Sequence, residues 1–200
     1  MGAPSASPTP AAGGHEALEP SPWVRRWSAL LPDGAHVLDV ACGSGRHLAW
    51  LGAAGHRLCG IDRDAAALEA ARGRPGAAAA ELIHADLESG AWPIPGRRFD
   101  AVVVTNYLWR PLLPMLVASV APGGVLIYET FARGNETVGR PSNPDFLLRP
   151  GELLDAVRGE LRVVAYEDGF LAPPPRFVQR VAAVREAAGA AAAAPSRHAL

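Results

Sequence analysis

This chain has no lysine. All 19 of its basic residues are arginine, set against 20 acidic residues for a net charge of −1. There is no broad basic field, so nucleic acid is not indicated as a partner. The missing lysine coincides with abundant alanine and proline, and we read it as the codon bias of a GC-rich genome, not as function. Cysteine is scarce as well. Cys42 and Cys59 stand alone, with no CxxC pair and no Cys/His ligand spacing. That excludes a disulfide framework, offers no zinc or other metal site, and suits a reducing cytoplasm. No uninterrupted apolar run is long enough to cross a bilayer. The N-terminus lacks the cationic and apolar regions of a signal peptide. We therefore expect a cytoplasmic protein with no membrane span.

What is present is enough for one globular domain, with 49% hydrophobic content in 200 residues. Residues 1–20 are rich in Ala, Pro, Gly and Ser, and residues 187–200 are mostly alanine. Both read as disordered tails around a folded unit over residues 21–186.

The densest signal is His36–Leu51, HVLDVACGSGRHLAWL. It reads as a buried strand, a glycine turn and a helix start. Asp39 is a carboxylate that strand packing does not need. Gly43 and Gly45 let the backbone turn tightly and approach a ligand, and the helix behind them points free N–H groups at the same place. Asp62 ends a second strand, RLCGID, 19 residues after Gly43. An acidic residue at that distance suits a pair of ribose hydroxyls.

Further elements follow in alternation. A helix is expected over Trp23–Leu31, strands over His36–Ala41, Arg57–Asp62, Glu81–Ala85, Phe99–Thr105 and Val125–Thr130, and helices over Gly45–Ala54, from Asp64 to Arg72, Pro111–Val120 and Pro150–Gly159. Two closing strands, Leu161–Glu167 and Arg176–Arg185, lie too close together for a helical crossover. The expected fold is α/β: a three-layer, Rossmann-like, seven-stranded, mostly parallel sheet with an antiparallel C-terminal hairpin.

The run Asp39 to Gly45 with Asp62 resembles the cofactor motifs of class I S-adenosylmethionine-dependent methyltransferases. The segment FLLRPGELLDAVRGELRVVAYED is similar, more loosely, to the tellurite-resistance (TehB-like) small-molecule group. The resemblance implies S-adenosylmethionine as cofactor. Asp39 would hold its amino end, with Ala41, Gly43 and Gly45 against the amino acid and ribose. Asp62 would take the ribose, and Asp86, Leu87 and Arg63 the adenine. At the end of the fourth strand, Thr105 would touch the cofactor, and Asn106 and Tyr107 would stand near the transferred methyl as the catalytic candidates. The long loop Phe131–Arg149 would form a lid or substrate wall through Asn135, Arg140, Asn143 and Phe146. Trp23 and Trp27 would close the other side, where an aromatic ring can attract a sulfonium. No general base is assigned, because positioning can supply most of the catalysis with an activated donor. A small-molecule acceptor is favoured. Two rivals stand beside this reading: an NAD(P)-dependent oxidoreductase, and a non-catalytic S-adenosylmethionine-binding partner subunit. Leu48 occupies the third glycine position of a dinucleotide motif, which counts against the first rival.

Overall fold

The computed structural model describes residues 19–187. The expected tails over 1–20 and 187–200 therefore lie outside it, apart from Glu19, Pro20 and Ala187. Seven strands form one sheet: β1 (His36–Val40), β2 (Arg57–Asp62), β3 (Glu81–His84), β4 (Phe99–Thr105), β5 (Val120–Phe131), β6 (Arg162–Leu171) and β7 (Arg176–Val184). Their order is β3-β2-β1-β4-β5-β7-β6. The first five are parallel, whereas β7 runs antiparallel to both β5 and β6. A dinucleotide-binding sheet would continue with a sixth parallel strand.

Five helices cover the sheet: α1 (Pro22–Trp27), α2 (Arg46–Ala53), α3 (Ala65–Arg72), α4 (Leu113–Ala118) and α5 (Glu152–Val157). Side chains alternate across a strand, so β1 serves both faces. Leu38 and Val40 join a core with Leu116 of α4 and Leu153 of α5. Val37 points the other way, into a core with Trp23, Val24 and Trp27 of α1, Leu48 of α2 and Leu68 of α3. Asp39 shares the face of Val37, beneath α2.

Local chemistry sets the helix starts. Ser21 caps α1 by accepting from the Trp23 N–H, with Pro22 in the first turn. Asp64 caps α3 by accepting from Ala66 and Ala67. Where prolines intervene, the elements shorten. The helix expected over Pro111–Val120 is a 3-10 turn, Arg110–Leu112, followed by α4, with Pro111 and Pro114 each at a helix start. The helix expected over Trp23–Leu31 ends at Trp27 and continues as a 3-10 turn. Two strands run longer than expected. β5 starts at Val120 and carries its Pro-Gly-Gly within a register shift against β4. β6 reaches Leu171 because its far end pairs residue by residue with β7.

Candidate functional site

The C-terminal ends of β1, β2 and β4 open into one crevice, at the point where the sheet order reverses between β1 and β4. The glycine turn forms its floor. Gly43 has φ +53 and nothing within 4 Å of where a Cβ would stand, so the backbone there is open to a ligand. Gly45 has φ +74, and a Cβ on it would come within 2.7 Å of the Ala71 Cβ. The two glycines thus differ in role: Gly43 keeps the crevice open, and Gly45 lets α2 and α3 pack. Asp62 ties the turn to β2. Its Oδ2 accepts from the Gly43 N–H at 2.7 Å and its Oδ1 from the Asp64 N–H at 2.9 Å.

Next to Asp62 lies a cavity of about 140 Å³ lined by Ala41, Arg63, Asp86, Leu87, Glu88 and Tyr107 among others. It brings together most of the expected adenine and ribose contacts. Leu87 offers an apolar wall. Asp86 also caps its own turn, accepting from the Glu88 N–H at 2.9 Å and the Ser89 hydroxyl at 2.6 Å. Those bonds hold its carboxyl below the usual range. A second cavity over the glycine turn is lined by Ala41, Gly43, Arg46, His47, Thr105 and Asn106, among others.

Asp39 lies under that second cavity rather than in its wall. It is fully buried, its Oδ2 accepts no hydrogen bond, and the His47 Nδ1 stands 3.8 Å away. Burial pushes the Asp39 carboxyl up to about 8, against the pull of Arg46. His47 Nε2 accepts from the Ser21 backbone N–H at 3.1 Å, which leaves the ring proton on Nδ1, facing Asp39. Burial, helped by Arg46, lowers His47 to about 3. Asp39, expected to hold an amino group directly or through water, thus stands behind His47, which the sequence allowed as either a cofactor contact or a structural residue.

Asn106 is the hub. Its φ of +55 is unusual for a non-glycine residue, and its backbone N–H donates to the Glu129 carbonyl at 2.9 Å. It lines the cavity over the glycines, a third formed with Tyr107, Phe131, Pro141 and Phe146, and a fourth beside α1. Tyr107 joins the first and third, and its hydroxyl is buried without a partner. Burial and the nearby Glu88 and Asp86 push the phenol upward, so it stays a neutral donor. Thr105 accepts from Arg46 Nη2 at 3.5 Å.

The loop after β5 is tied down by side-chain bonds. Arg110 grips Glu152 with two bonds, 2.6 and 3.0 Å, and holds the Asp145 and Leu147 carbonyls at 2.6 and 2.9 Å. Asn135 is buried, donating to the Pro141 carbonyl at 3.0 Å and accepting from the Phe177 N–H at 3.2 Å. Its polar atoms are spent on the loop itself. Asn143 caps a 3-10 turn through Asp145, and neither it nor Arg140 is among the residues lining these cavities. Of the four loop candidates, only Phe146 reaches the crevice.

Trp23 and Trp27 are corrected as well. Both are 2% exposed and pack edge-to-face at 5.5 Å. Trp23 donates to the Val181 carbonyl at 3.3 Å and carries Arg180 over its ring. They seal the core under α1 and do not face a ligand. What reaches a cavity at this end is Ser21, the cap of α1, whose hydroxyl donates to Glu129 Oε1 at 2.9 Å, with Pro22 and Arg25 of the helix.

Residues 37–124 match the family model of a methyltransferase domain. A trans-aconitate 2-methyltransferase of Paracidovorax citrulli is 40% identical over 103 residues, which is 48% of this chain and 38% of that protein. The match thus spans well under half of that curated relative. Among solved structures, a TehB-like S-adenosylmethionine-dependent methyltransferase of Corynebacterium glutamicum superposes with TM-score 0.59 and 21% identity, over 82% of this chain and 87% of that one. TehB of Haemophilus influenzae gives 0.63 and 17%, over 82% and 61%. The chain thus shares its fold with these methyltransferase structures, and the methyltransferase-domain match covers just under half of it. Its architecture is like that of the TehB-type structures.

Proposed function

We propose that this protein transfers a methyl group from S-adenosylmethionine to a small molecule. The carrying observation is the joined set at the strand ends: an open Gly43 backbone, the Asp62 carboxylate bonded to it at 2.7 Å, and the cavity bounded by Leu87 and Asp86. The fit is chemical. Each Asp62 oxygen retains a lone pair for a ribose hydroxyl, and Leu87 and Arg63 flank a planar base. Bound there, S-adenosylmethionine supplies a methyl on a sulfonium, already activated for displacement. The chain's share is positioning. Asn106 stands where the donor and acceptor cavities meet, Tyr107 offers an un-ionised hydroxyl, and Phe146 and Phe131 exclude water from the far side.

The name of the 40%-identical relative supports a small acceptor. We take residues 21–186 as the methyltransferase domain, and Glu19 and Pro20, just before it, line the cavity beside α1. No described helix is long and apolar enough to cross a membrane. Cys42 and Cys59 are free and buried, which supports a cytoplasmic location.

Calorimetric titration tests the reading. S-adenosylmethionine should bind, NAD should not, and Asp62→Ala should weaken binding by tenfold or more, about 1.4 kcal/mol. A folded protein that ignores S-adenosylmethionine sinks the proposal, and binding with no labelled product from any acceptor makes it a non-catalytic partner.

A further inference from the structure

The cavity that Asn106 and Tyr107 form with Phe131, Pro141 and Phe146 has a volume of about 230 Å³. It adjoins the place proposed for the donor on two sides. Tyr107 and Glu88 line it and the cavity next to Asp62 alike, and Asn106 lines it and the one over the glycine turn. An apolar cavity on the order of 150 Å³ admits benzene, so this one has room for a single substituted ring.

Its walls suit a flat ring. Phe146 is an exposed aromatic residue in the lining. Arg110 holds the carbonyls of Asp145 and Leu147, the residues on either side of it, and Glu152 in turn holds Arg110. The backbone around Phe146 is thus clamped, and its ring is kept on the cavity instead of folding into the core. Among the described residues, neither Phe131 nor Phe146 pairs with another aromatic ring. Both can pack against the face or edge of a guest.

Three polar groups in the lining lack hydrogen-bond partners within the described chain. The Tyr107 hydroxyl is buried and bonded to nothing. Burial and the nearby Glu88 keep its proton in place, so it can donate to a guest. The Glu88 carboxylate accepts no hydrogen bond, and its ion-pair partner Arg63 stands at 3.9 Å, beyond hydrogen-bond reach. The Asn106 side-chain amide makes none either. A donor and a base in one lining select the reacting atom: it must accept a hydrogen bond and give up a proton. A phenol oxygen does both. An ionised carboxylate has no proton to give and would meet the charge of Glu88. An ammonium has no lone pair for Tyr107. An aliphatic hydroxyl holds its proton too tightly for a carboxylate to draw it off.

We propose that this cavity takes a single-ring phenol as methyl acceptor, with Glu88 receiving its proton, and that the product is the aryl methyl ether. The inference rests on the methyltransferase reading above and names its acceptor. In the step, a lone pair on the phenol oxygen forms the O–CH3 bond as the S–CH3 bond breaks. The bonding pair passes to sulfur, which becomes a neutral thioether. The O–H proton passes to Glu88 and from there to water, since that side chain is 31% exposed.

The full chain with labelled methyl donor is tested at about pH 8 against 4-methylphenol, 4-nitrophenol, benzylamine, benzoate and cyclohexanol. Donor binding is measured separately by calorimetry. Methyl ether is expected from the two phenols and no labelled product from the other three. Glu88→Gln should lower kcat tenfold or more with 4-methylphenol and not with 4-nitrophenol, which is already ionised at that pH. Tyr107→Phe removes only the donor and should lower kcat/KM tenfold or more with both phenols. Phe146→Ala should raise KM for both fivefold or more, with donor affinity unchanged. Donor binding with no ether from either phenol overturns the inference and leaves the methyltransferase reading intact. So does turnover of benzylamine, benzoate or cyclohexanol equal to that of 4-methylphenol, or a Glu88→Gln loss equal for both phenols. Absence of donor binding overturns both. Binding of 4-methylphenol to protein saturated with S-adenosylhomocysteine gives a readout independent of turnover, and its absence also overturns the inference.

Discussion

Gly43 and Gly45 stand two positions apart, and substitution should affect them differently. Alanine at Gly45 meets the Ala71 Cβ at 2.7 Å in a left-handed backbone, so stability should fall by about 2–4 kcal/mol. Alanine at Gly43 meets no atom. It should cost about 1 kcal/mol in stability from backbone strain, yet weaken S-adenosylmethionine binding tenfold or more. Urea denaturation and titration calorimetry separate the two effects, and equal binding losses would contradict the division of roles. Asp39 and His47 make a second prediction at this scale. The folded chain keeps a proton on Asp39 up to about pH 8, which the unfolded chain releases near 4. It refuses on His47 a proton that the unfolded chain takes below about 6.5. Between about pH 4 and 6.5 the two slopes oppose each other. From about 6.5 to 8 only the Asp39 slope remains, and stability should fall there by at most about 1.4 kcal/mol per pH unit. Asp39→Asn should flatten that fall, and an unchanged profile would show that Asp39 is ionised in the native state.

At the scale of elements, the loop after β5 owes its fixed shape to a junction of Arg110, Glu152 and the Arg149 backbone. Glu152 Oε2 accepts from the Arg149 N–H at 2.8 Å as well as from Arg110 at 3.0 Å. Its side chain is 8% exposed. Glu152→Gln should cost about 2–3 kcal/mol, since it weakens charge-assisted bonds at a largely buried site. Asp155→Asn, which breaks the exposed pair with Arg158, should cost under about 0.5 kcal/mol. Chemical denaturation of the two variants makes the comparison. This junction was hidden in the sequence because Arg110 and Glu152 lie 42 positions apart. Elements with their own local signals were legible: β2 and β4 begin and end where the apolar runs do, and Asp64 announced α3. Elements completed only by pairing with another strand were not. The far half of β6, with Gly169 and Asp168, has no strand pattern of its own and is held by β7 through pairs such as Phe170 with Phe177.

Across the whole molecule, the glycine turn and its carboxylates were legible and the arginine-lined cavity beside α1 was not. Asp39, Gly43, Gly45 and Asp62 fall within one βαβ unit, so their spacing is itself the signal. Arg25, Arg46 and Arg176 come from opposite ends of the chain and meet only through the sheet order. A chain whose cations are all arginine gives no compositional contrast by which to notice them. Trp23 and Trp27 misled for the opposite reason: aromatic residues near a site invite a ligand role, but these two close the core. Trp27→Ala should cost about 3–5 kcal/mol. Phe146→Ala, at a side chain 42% exposed, should cost under about 1 kcal/mol and act on acceptor KM. Thermal unfolding and steady-state kinetics check the contrast.

The docking of α1 has a consequence for how the protein is made. Ser21 reaches Glu129, 108 positions onward, and Trp23 reaches Val181, 158 positions onward. A ribosome delivers α1 first and its partners last, so the helix waits through nearly the whole of synthesis with two large indole rings uncovered. Contacts of such sequence separation form late, and exposed apolar surface in an unfinished chain is a hazard. A chain stopped short of β7 keeps every residue of the donor motif, yet it lacks the strand on which its own first helix closes.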